Sequence, residues 1–518
     1  MNRAEMLSRA GERDIWDIVV IGGGATGLGV AIDAAQRGYR TLLLEKYDFA
    51  KGTSSRSTKL VHGGVRYLAQ GNVKLVREAL RERGLLLKNA PHLTQVQSFV
   101  VPAYKRWEKW YYGTGLTLYD MLAGRLGLGK TEFLNNTELL QRLPVAETRN
   151  LHGGVAYYDG QFDDARLAIH MAMTAAEQGA VLLNYMEVCG LVREGKKITG
   201  VEARDTLGSG AVMRFACRAV VNATGVHVDE VLKMEDPASP GMVAPSQGVH
   251  IVVDKKFFPG DTALMIPRTA DKRVLFAVPW HDKVVVGTTD TPVERIDSEP
   301  QPFGEEISFI IYHFNKYLRT DIRESDILSV FTGLRPLVKS GNSGNTSMLS
   351  RDHTIVASTS GLVTITGGKW TTYRKMARDA VDNAAFVAKL DARPCKTDEL
   401  RMHGWQPGVS DEDPLRHYGS DAEQIRALIA AQPSLSARIH PRMPYVLAEI
   451  DWAVREEMAM RVEDVLARRL RMLFLDAQAA IESAEIVARR MAMALGKDEA
   501  WIQHELRDFR ELADGYLP

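Results

Sequence analysis

The stretch Asp17-Ile18-Val19-Val20-Ile21-Gly22-Gly23-Gly24-Ala25-Thr26-Gly27 decides the fold. An apolar strand runs into Gly22-x-Gly24-x-x-Gly27 and on into a helical stretch carrying Ala31, Ala34 and Ala35. Glycines at these three places allow a tight turn, let backbone N–H groups approach a pyrophosphate, and let helix and strand pack closely. The pyrophosphate then rests on the partial positive charge of the helix N-terminus. A second apolar run, Thr41-Leu42-Leu43-Leu44, ends in Glu45. An acid about 20 residues past the glycines can accept hydrogen bonds from a ribose. Together these features predict a dinucleotide-binding βαβ unit, without separating NAD from FAD.

The 518 residues suffice for two or three domains, and 45% hydrophobic content can fill their cores. Lys plus Arg equals Asp plus Glu at 65 each, so no global field draws the chain to nucleic acid. Cys189, Cys217 and Cys395 are scattered and lack metal-ligand spacing. They read as reduced, buried thiols of an intracellular protein, and no metal is expected. The first sixteen residues hold charges and no apolar stretch of signal-peptide type. No run approaches the roughly 18 apolar residues of a membrane span.

Outward from the fingerprint, residues 54–64 turn polar and glycine-bearing, which is loop chemistry, and residues 73–90 place Val76, Leu80 and Leu87 on one helical face. Asp163 and Asp164 are N-cap candidates for a helix over 165–178. Strands are expected at 181–185, 188–193 and 198–203, and again at 219–222 before a small-residue turn. Residues 249–289 alternate β-rich runs with turns, as an antiparallel sheet walling a pocket would. Gly361 to Lys369 reads as a strand into a glycine turn, with a helix from about Thr371. Beyond Asp391 a proline-punctuated, helix-rich tail follows, its last long helix bearing Ala480, Ala484, Val487, Met491 and Leu495 before Gly496.

Further runs carry a family resemblance: Val61-His62-Gly63-Gly64-Val65-Arg66-Tyr67-Leu68, Tyr158 to Leu167, Asn222-Ala223-Thr224-Gly225, Val286 to Asp290, Gly333-Leu334-Arg335-Pro336 and Gly367-Gly368-Lys369-Trp370-Thr371-Thr372-Tyr373-Arg374. Together with residues 54–64 they closely resemble the FAD-dependent, quinone-linked glycerol-3-phosphate dehydrogenases, within the D-amino-acid-oxidase-like flavoproteins. The resemblance implies an α/β fold in three parts. An FAD-binding Rossmann-type domain is assembled from residues 14–90, 150–235 and 333–390. A β-rich substrate domain takes residues 91–149 with 236–332, and residues 391–518 form a helical domain. It also implies non-covalent FAD. Gly22, Gly24, Thr26 and Gly27 would cradle the pyrophosphate, with Glu45 on the ribose and the backbone of Val188 at the adenine. Ser54, Ser55, Ser57, His62, Gly63, Gly64, Ala223, Gly225, Gly333, Gly367, Gly368, Lys369 and Thr371 complete the cofactor set.

The resemblance makes glycerol 3-phosphate the substrate, and an anion pocket favours arginine, whose planar fork pairs phosphate oxygens. Arg66, Arg335 and Arg351 sit in three motif-bearing turns, and Tyr67 follows Arg66. Arg66, Tyr67 and Arg351 are the expected substrate ligands. Arg335 is expected to hold a developing alkoxide, and Lys369 to touch the flavin or the substrate oxygen. His250 is the candidate base for the C2 hydroxyl proton, since an imidazole near pKa 6.5 suits that task; its other reading is a donor to substrate phosphate. His62 is a second pocket histidine. Gln247 stands where relatives often carry Lys. Residues 104–130 place Trp107, Tyr111, Leu118, Leu122 and Leu126 on one face, flanked by Lys105, Arg106, Lys109, Arg125 and Lys130. Gly113 and Gly115 break the pattern, predicting two short helices that rest on a membrane surface or are buried in the substrate domain. The expectation is a homo-oligomer on the cytoplasmic face of the membrane, delivering electrons to a quinone. An O2-using oxidase, an amine or amino-acid oxidase, and a flavin-bound scaffold without turnover are the alternatives.

Overall fold

The computed structural model describes residues 1–69, 71–208, 210–269, 273–339 and 352–518. Two sheets organise it. In the first, Trp16–Ile21 lies between Thr41–Leu44 and Val212–Asn222, and Leu362–Gly367 flanks the latter, all parallel. Val181–Leu183 extends the sheet beyond Thr41–Leu44. Every residue of Trp16–Ile21 and Thr41–Leu44 is buried, the pattern of parallel strands covered on both faces. Helix Ala25–Gln36 packs against both Asp164–Glu177 and Tyr373–Val387. Asp163 caps Asp164–Glu177 by accepting from the Arg166 amide, as its sequence position predicts. The ribbon Met186–Glu194 and Lys197–Asp205 continues antiparallel from Val212–Asn222. The chain is the expected α/β protein with a discontinuous dinucleotide-binding sheet.

The second sheet is mainly antiparallel and centres on Val243–Asp254, which pairs with Lys283–Gly287 on one side and Ile327–Val338 on the other. Leu60–Val61 and Gly154–Phe162, read as parts of the FAD unit, pair within this sheet. Gly333 to Pro336 is no turn: it lies inside the strand Ile327–Val338, with Arg335 opposite Ser246. The helical tail packs on the back of this sheet through Val252, Trp280, Val285 and Phe331.

Three other expectations change. Residues 108–123 form a single helix, Glu108–Ala123. Gly113 does not break it; a Cβ there would lie 2.1 Å from the Phe133 ring, so the glycine admits a close neighbour. Leu126 turns inward over Gly84 and Leu122 is half-buried, whereas Trp107, Tyr111 and Leu118 are exposed. Ala477–Leu495, stopped by a left-handed Gly496, is followed by one more helix, Glu499–Asp514, capped by Asp498. Of the cysteines only Cys217 is buried; Cys189 is exposed on its strand and Cys395 half-buried.

Candidate active site

The Gly22 turn leaves the first strand with φ +106°, and a Cβ on Gly22 would meet the Ala223 carbonyl oxygen at 2.8 Å. A Cβ on Gly27 would lie 1.8 Å from the Gly22 carbonyl oxygen, so Gly27 serves helix–strand packing and does not line the cavity. Gly22, Gly24 and Thr26 do line it, with Glu45, Val188, Ala223 and Gly225. Glu45 is held by two amides, Gly23 to Oε2 at 2.6 Å and Tyr47 to Oε1 at 2.8 Å. Burial pushes its pKa up against those two bonds. Ser54 Oγ accepts from the Ala25 amide at 2.9 Å, capping the helix whose N-terminus faces the cavity.

The cavity, of about 490 Å³, continues to Gly333 and Arg335 and to the turn carrying Gly367, Gly368, Lys369 and Thr371. Thr371 Oγ1 accepts from the His62 amide and donates to the His62 carbonyl, tying this turn to the loop before Gly63. Gly63 packs under Tyr119, whose hydroxyl accepts from its amide at 2.7 Å, and lines neither cavity described here. Gly64 sits against Tyr67 and Lys369. Two serines have other partners. Ser55 donates to the Ala50 carbonyl at 2.6 Å and is absent from the lining, and Ser57 donates to Asp164 at 2.7 Å while remaining at the wall.

A second cavity of about 220 Å³ opens beside the first, and Thr58, Leu60, His62, Tyr67 and Arg335 line both. At this junction Arg335 is fixed from behind. Its guanidinium pairs with Asp290 at 3.1 Å and donates to Thr288 Oγ1 and to the Thr289 and Gln247 carbonyls. Lys369 Nζ stands 3.8 Å above the Tyr67 ring. His250, opposite Phe331 in the sheet, faces the larger cavity and meets the Thr58 hydroxyl through Nε2 at 2.9 Å. Burial, then the charges of Lys59 and Arg335, hold its pKa well below 6.5. Against the ordinary value of 6.5 expected from the sequence, these surroundings favour the neutral ring. Gln247 donates to Glu306, lines neither cavity and accepts from Arg335 through its carbonyl. Arg66 belongs to the helix Val65–Ala69, not to a turn. Arg351 lies outside the described residues. Sequence reasoning missed Thr58 and Asp290, although both lie in or beside the quoted motifs.

Residues 17–374 match the family model for FAD dependent oxidoreductases, and residues 362–502 match that for the C-terminal domain of alpha-glycerophosphate oxidase. The chain is 39% identical over 526 residues to the mitochondrial glycerol-3-phosphate dehydrogenase of Mesocricetus auratus, covering 95% of this chain and 72% of that one. Its likeness to the Homo sapiens enzyme is 38% over 531 residues, covering 96% and 73%. This chain belongs to the FAD-dependent glycerol-3-phosphate dehydrogenase family. The solved glycerol-3-phosphate dehydrogenase from Bacillus halodurans, complexed with FAD, superposes with a TM-score of 0.81 at 29% identity, covering 100% of this chain and 98% of that one.

FAD is the cofactor of this glycerol-3-phosphate dehydrogenase family member, and the cavity fits it. Backbone that excludes a Cβ at Gly22, a helix N-terminus and a half-buried carboxylate occur together at one end. These suit a pyrophosphate and a ribose. At the other end the Gly367–Thr371 turn leads into the helix Tyr373–Val387, an N-terminus that favours negative charge.

Proposed function

We propose that the protein oxidises sn-glycerol 3-phosphate to dihydroxyacetone phosphate and delivers the electrons to a quinone at a membrane surface. The observation that carries this reading is the Arg335 guanidinium, anchored by Asp290 where the two cavities meet. A guanidinium fixed there suits the oxygen of a polyol on which charge builds during oxidation, and the names of the mitochondrial relatives favour glycerol 3-phosphate as the substrate. FAD, when bound, takes the hydride from the carbon bearing the substrate hydroxyl.

The protein's part is to hold the anion and move the proton. Arg335 and Lys369 supply positive charge for an oxygen on which charge builds as its proton leaves. Arg66, Tyr67 and Arg351 complete the proposed substrate set. His250 takes the proton, and its neutral ring favours this role over that of a phosphate counter-charge. The route runs through Thr58: its oxygen receives the substrate proton as its own hydroxyl proton passes to His250 Nε2.

For the acceptor, the helix Glu108–Ala123 and the residue before it expose Trp107, Trp110, Tyr111, Leu118 and Met121, with exposed Lys105, Arg106, Arg125 and Lys130 alongside. Exposed aromatics beside basic residues suit a lipid interface. Among the described residues no helix is long and apolar enough to cross a membrane, and the proposed location is the cytoplasmic face. The test is anaerobic bleaching of flavin absorbance by glycerol 3-phosphate, with no bleaching by equal glycerol, followed by faster reoxidation with a short-chain quinone than with air. Failure to bleach overturns the substrate, and reoxidation by air as fast as by quinone overturns the acceptor.

A further inference from the structure

The cavity wall between Lys46 and Thr58 has few backbone bonds beyond its own turns. Lys51 bonds to Asp48, Ser55 to Gly52 and Arg56 to Thr53. It is also tied to Gly23, Tyr185, Leu334, Thr332 and Trp370, and its buried ion pairs come from the helical C-terminal region. Fully buried Asp48 accepts from Arg468 Nε at 2.5 Å and from both terminal nitrogens of Arg469. Lys51 Nζ donates to both Glu463 oxygens at 2.7 Å. Arg471 Nη2 donates to the Ser55 carbonyl at 3.0 Å and to Asp164 Oδ1 at 2.9 Å, while Asp164 Oδ2 holds the Ser57 amide and hydroxyl.

The segment that delivers these arginines is itself irregular. Asp464–Arg469 is a π-helical turn, and Arg471 sits at φ +59°, a conformation costly for a residue with a Cβ. Arg468, Arg469 and Arg471 are 3%, 0% and 1% exposed. Buried ion pairs are poor sources of net stability, because desolvation offsets their attraction. Their worth here is geometric, since each aims a fixed group at one point of the FAD wall.

We propose that the segment Glu463–Arg471 is the positioning element of the FAD-binding loop, so that docking of the C-terminal region and FAD affinity are reciprocally linked. None of its members lines the cavity; they act through Asp48, Lys51, Ser55 and Asp164. The inference rests on FAD binding alone and stands apart from the choice of substrate.

The decisive variant is Arg471→Met, since Asp164 keeps its pair with Lys59 and Asp163 its contact with His281. Loss of the guanidinium's charge-assisted bonds to the Ser55 carbonyl, Asp164 and the Ala467 carbonyl should raise the FAD dissociation constant about tenfold to a hundredfold, read from flavin fluorescence on dilution. Arg471→Lys should lose less. Glu463→Gln, which keeps the shape and drops the charge on Lys51, should raise the constant about threefold to tenfold and decides the matter if Arg471→Met does not fold. FAD added to the stripped parent protein should slow hydrogen exchange across residues 464–475, and this slowing should shrink in the variants. A merely structural role would lower the melting temperature equally with and without FAD. FAD affinity within twofold of the parent in the variants that fold overturns the proposal.

Discussion

The His250 ring lies face to face with Phe331, 4.7 Å between centroids and 11° from parallel, and Phe331 in turn meets Phe474 of the C-terminal region at 5.0 Å. An imidazole stacked on a phenyl ring and buried at the cavity wall rests in the neutral form that a proton acceptor needs. His250→Asn should slow flavin reduction by about 10²–10⁴-fold, the usual contribution of a positioned acid–base group. Because the ring's pKa is pushed well below 6.5, it stays neutral from pH 6 to 8, and stopped-flow rates of parent and variant should keep a constant ratio there. A His250 ionisation inside that window would contradict the assignment.

Arg335 owes its orientation to Asp290 and Thr288. Because Arg335 is proposed to stabilise the oxygen on which charge builds, Arg335→Lys, which removes the fixed guanidinium, should lower kcat about tenfold to a hundredfold with a smaller change in KM for glycerol 3-phosphate. Steady-state kinetics with kcat unchanged would remove Arg335 from this role.

Gly27→Ala places a methyl group against the Gly22 backbone oxygen, which cannot swing aside as a side chain would. The helix must lift from its strand, so the variant should be recovered without FAD or not recovered folded. Flavin-to-protein absorbance ratios check this. Glu45→Ala, which frees the Gly23 and Tyr47 amides, should fold yet retain FAD weakly.

His403 donates to Glu177 Oε1 at 2.5 Å and to Asp421 Oδ2 at 2.7 Å. Burial opposes its charge, but these bonds outweigh it and raise the pKa from 6.5 to about 9. A raised pKa stabilises fully below pH 6.5 and the effect is lost as pH climbs through about 9, a swing of about 3 kcal/mol. Thermal melts should find His403→Gln well below the parent at pH 6 and close to it near pH 10.

Trp110→Glu on the exposed face of Glu108–Ala123 should weaken flotation with vesicles rich in anionic lipid, and rising salt should weaken the parent in the same assay. Flotation that is unaffected by both would remove this face from the membrane reading.

What the sequence made legible was local. The Gly22–Gly27 turn, Glu45 and the Asp163 cap each depend on neighbours a few residues away or on one βαβ unit. The helix Glu499–Asp514 was equally local, with Asp498 at its start, but Gly496 was read as a final stop. Clamps such as Asp48 with Arg469 or Asp164 with Arg471 join distant segments, and buried charges leave no periodic trace. The sheet membership of Gly154–Phe162 was hidden for a related reason: its nearly continuous burial suits either sheet, and only pairing with Thr94–Pro102 decides it.

The two glycine turns that line the FAD cavity leave parallel strands on either side of Val212–Asn222, yet Gly22 is made long before Gly368. The strand between them, Val212–Asn222, has to wait for Leu362–Gly367 before its far edge is covered. A chain still growing on the ribosome can form the Gly22 turn but cannot close the cavity until Thr371 has emerged, and it leaves an apolar parallel edge open meanwhile. Cofactor capture is therefore a late event in the life of the chain, and the interval before it is when aggregation threatens most.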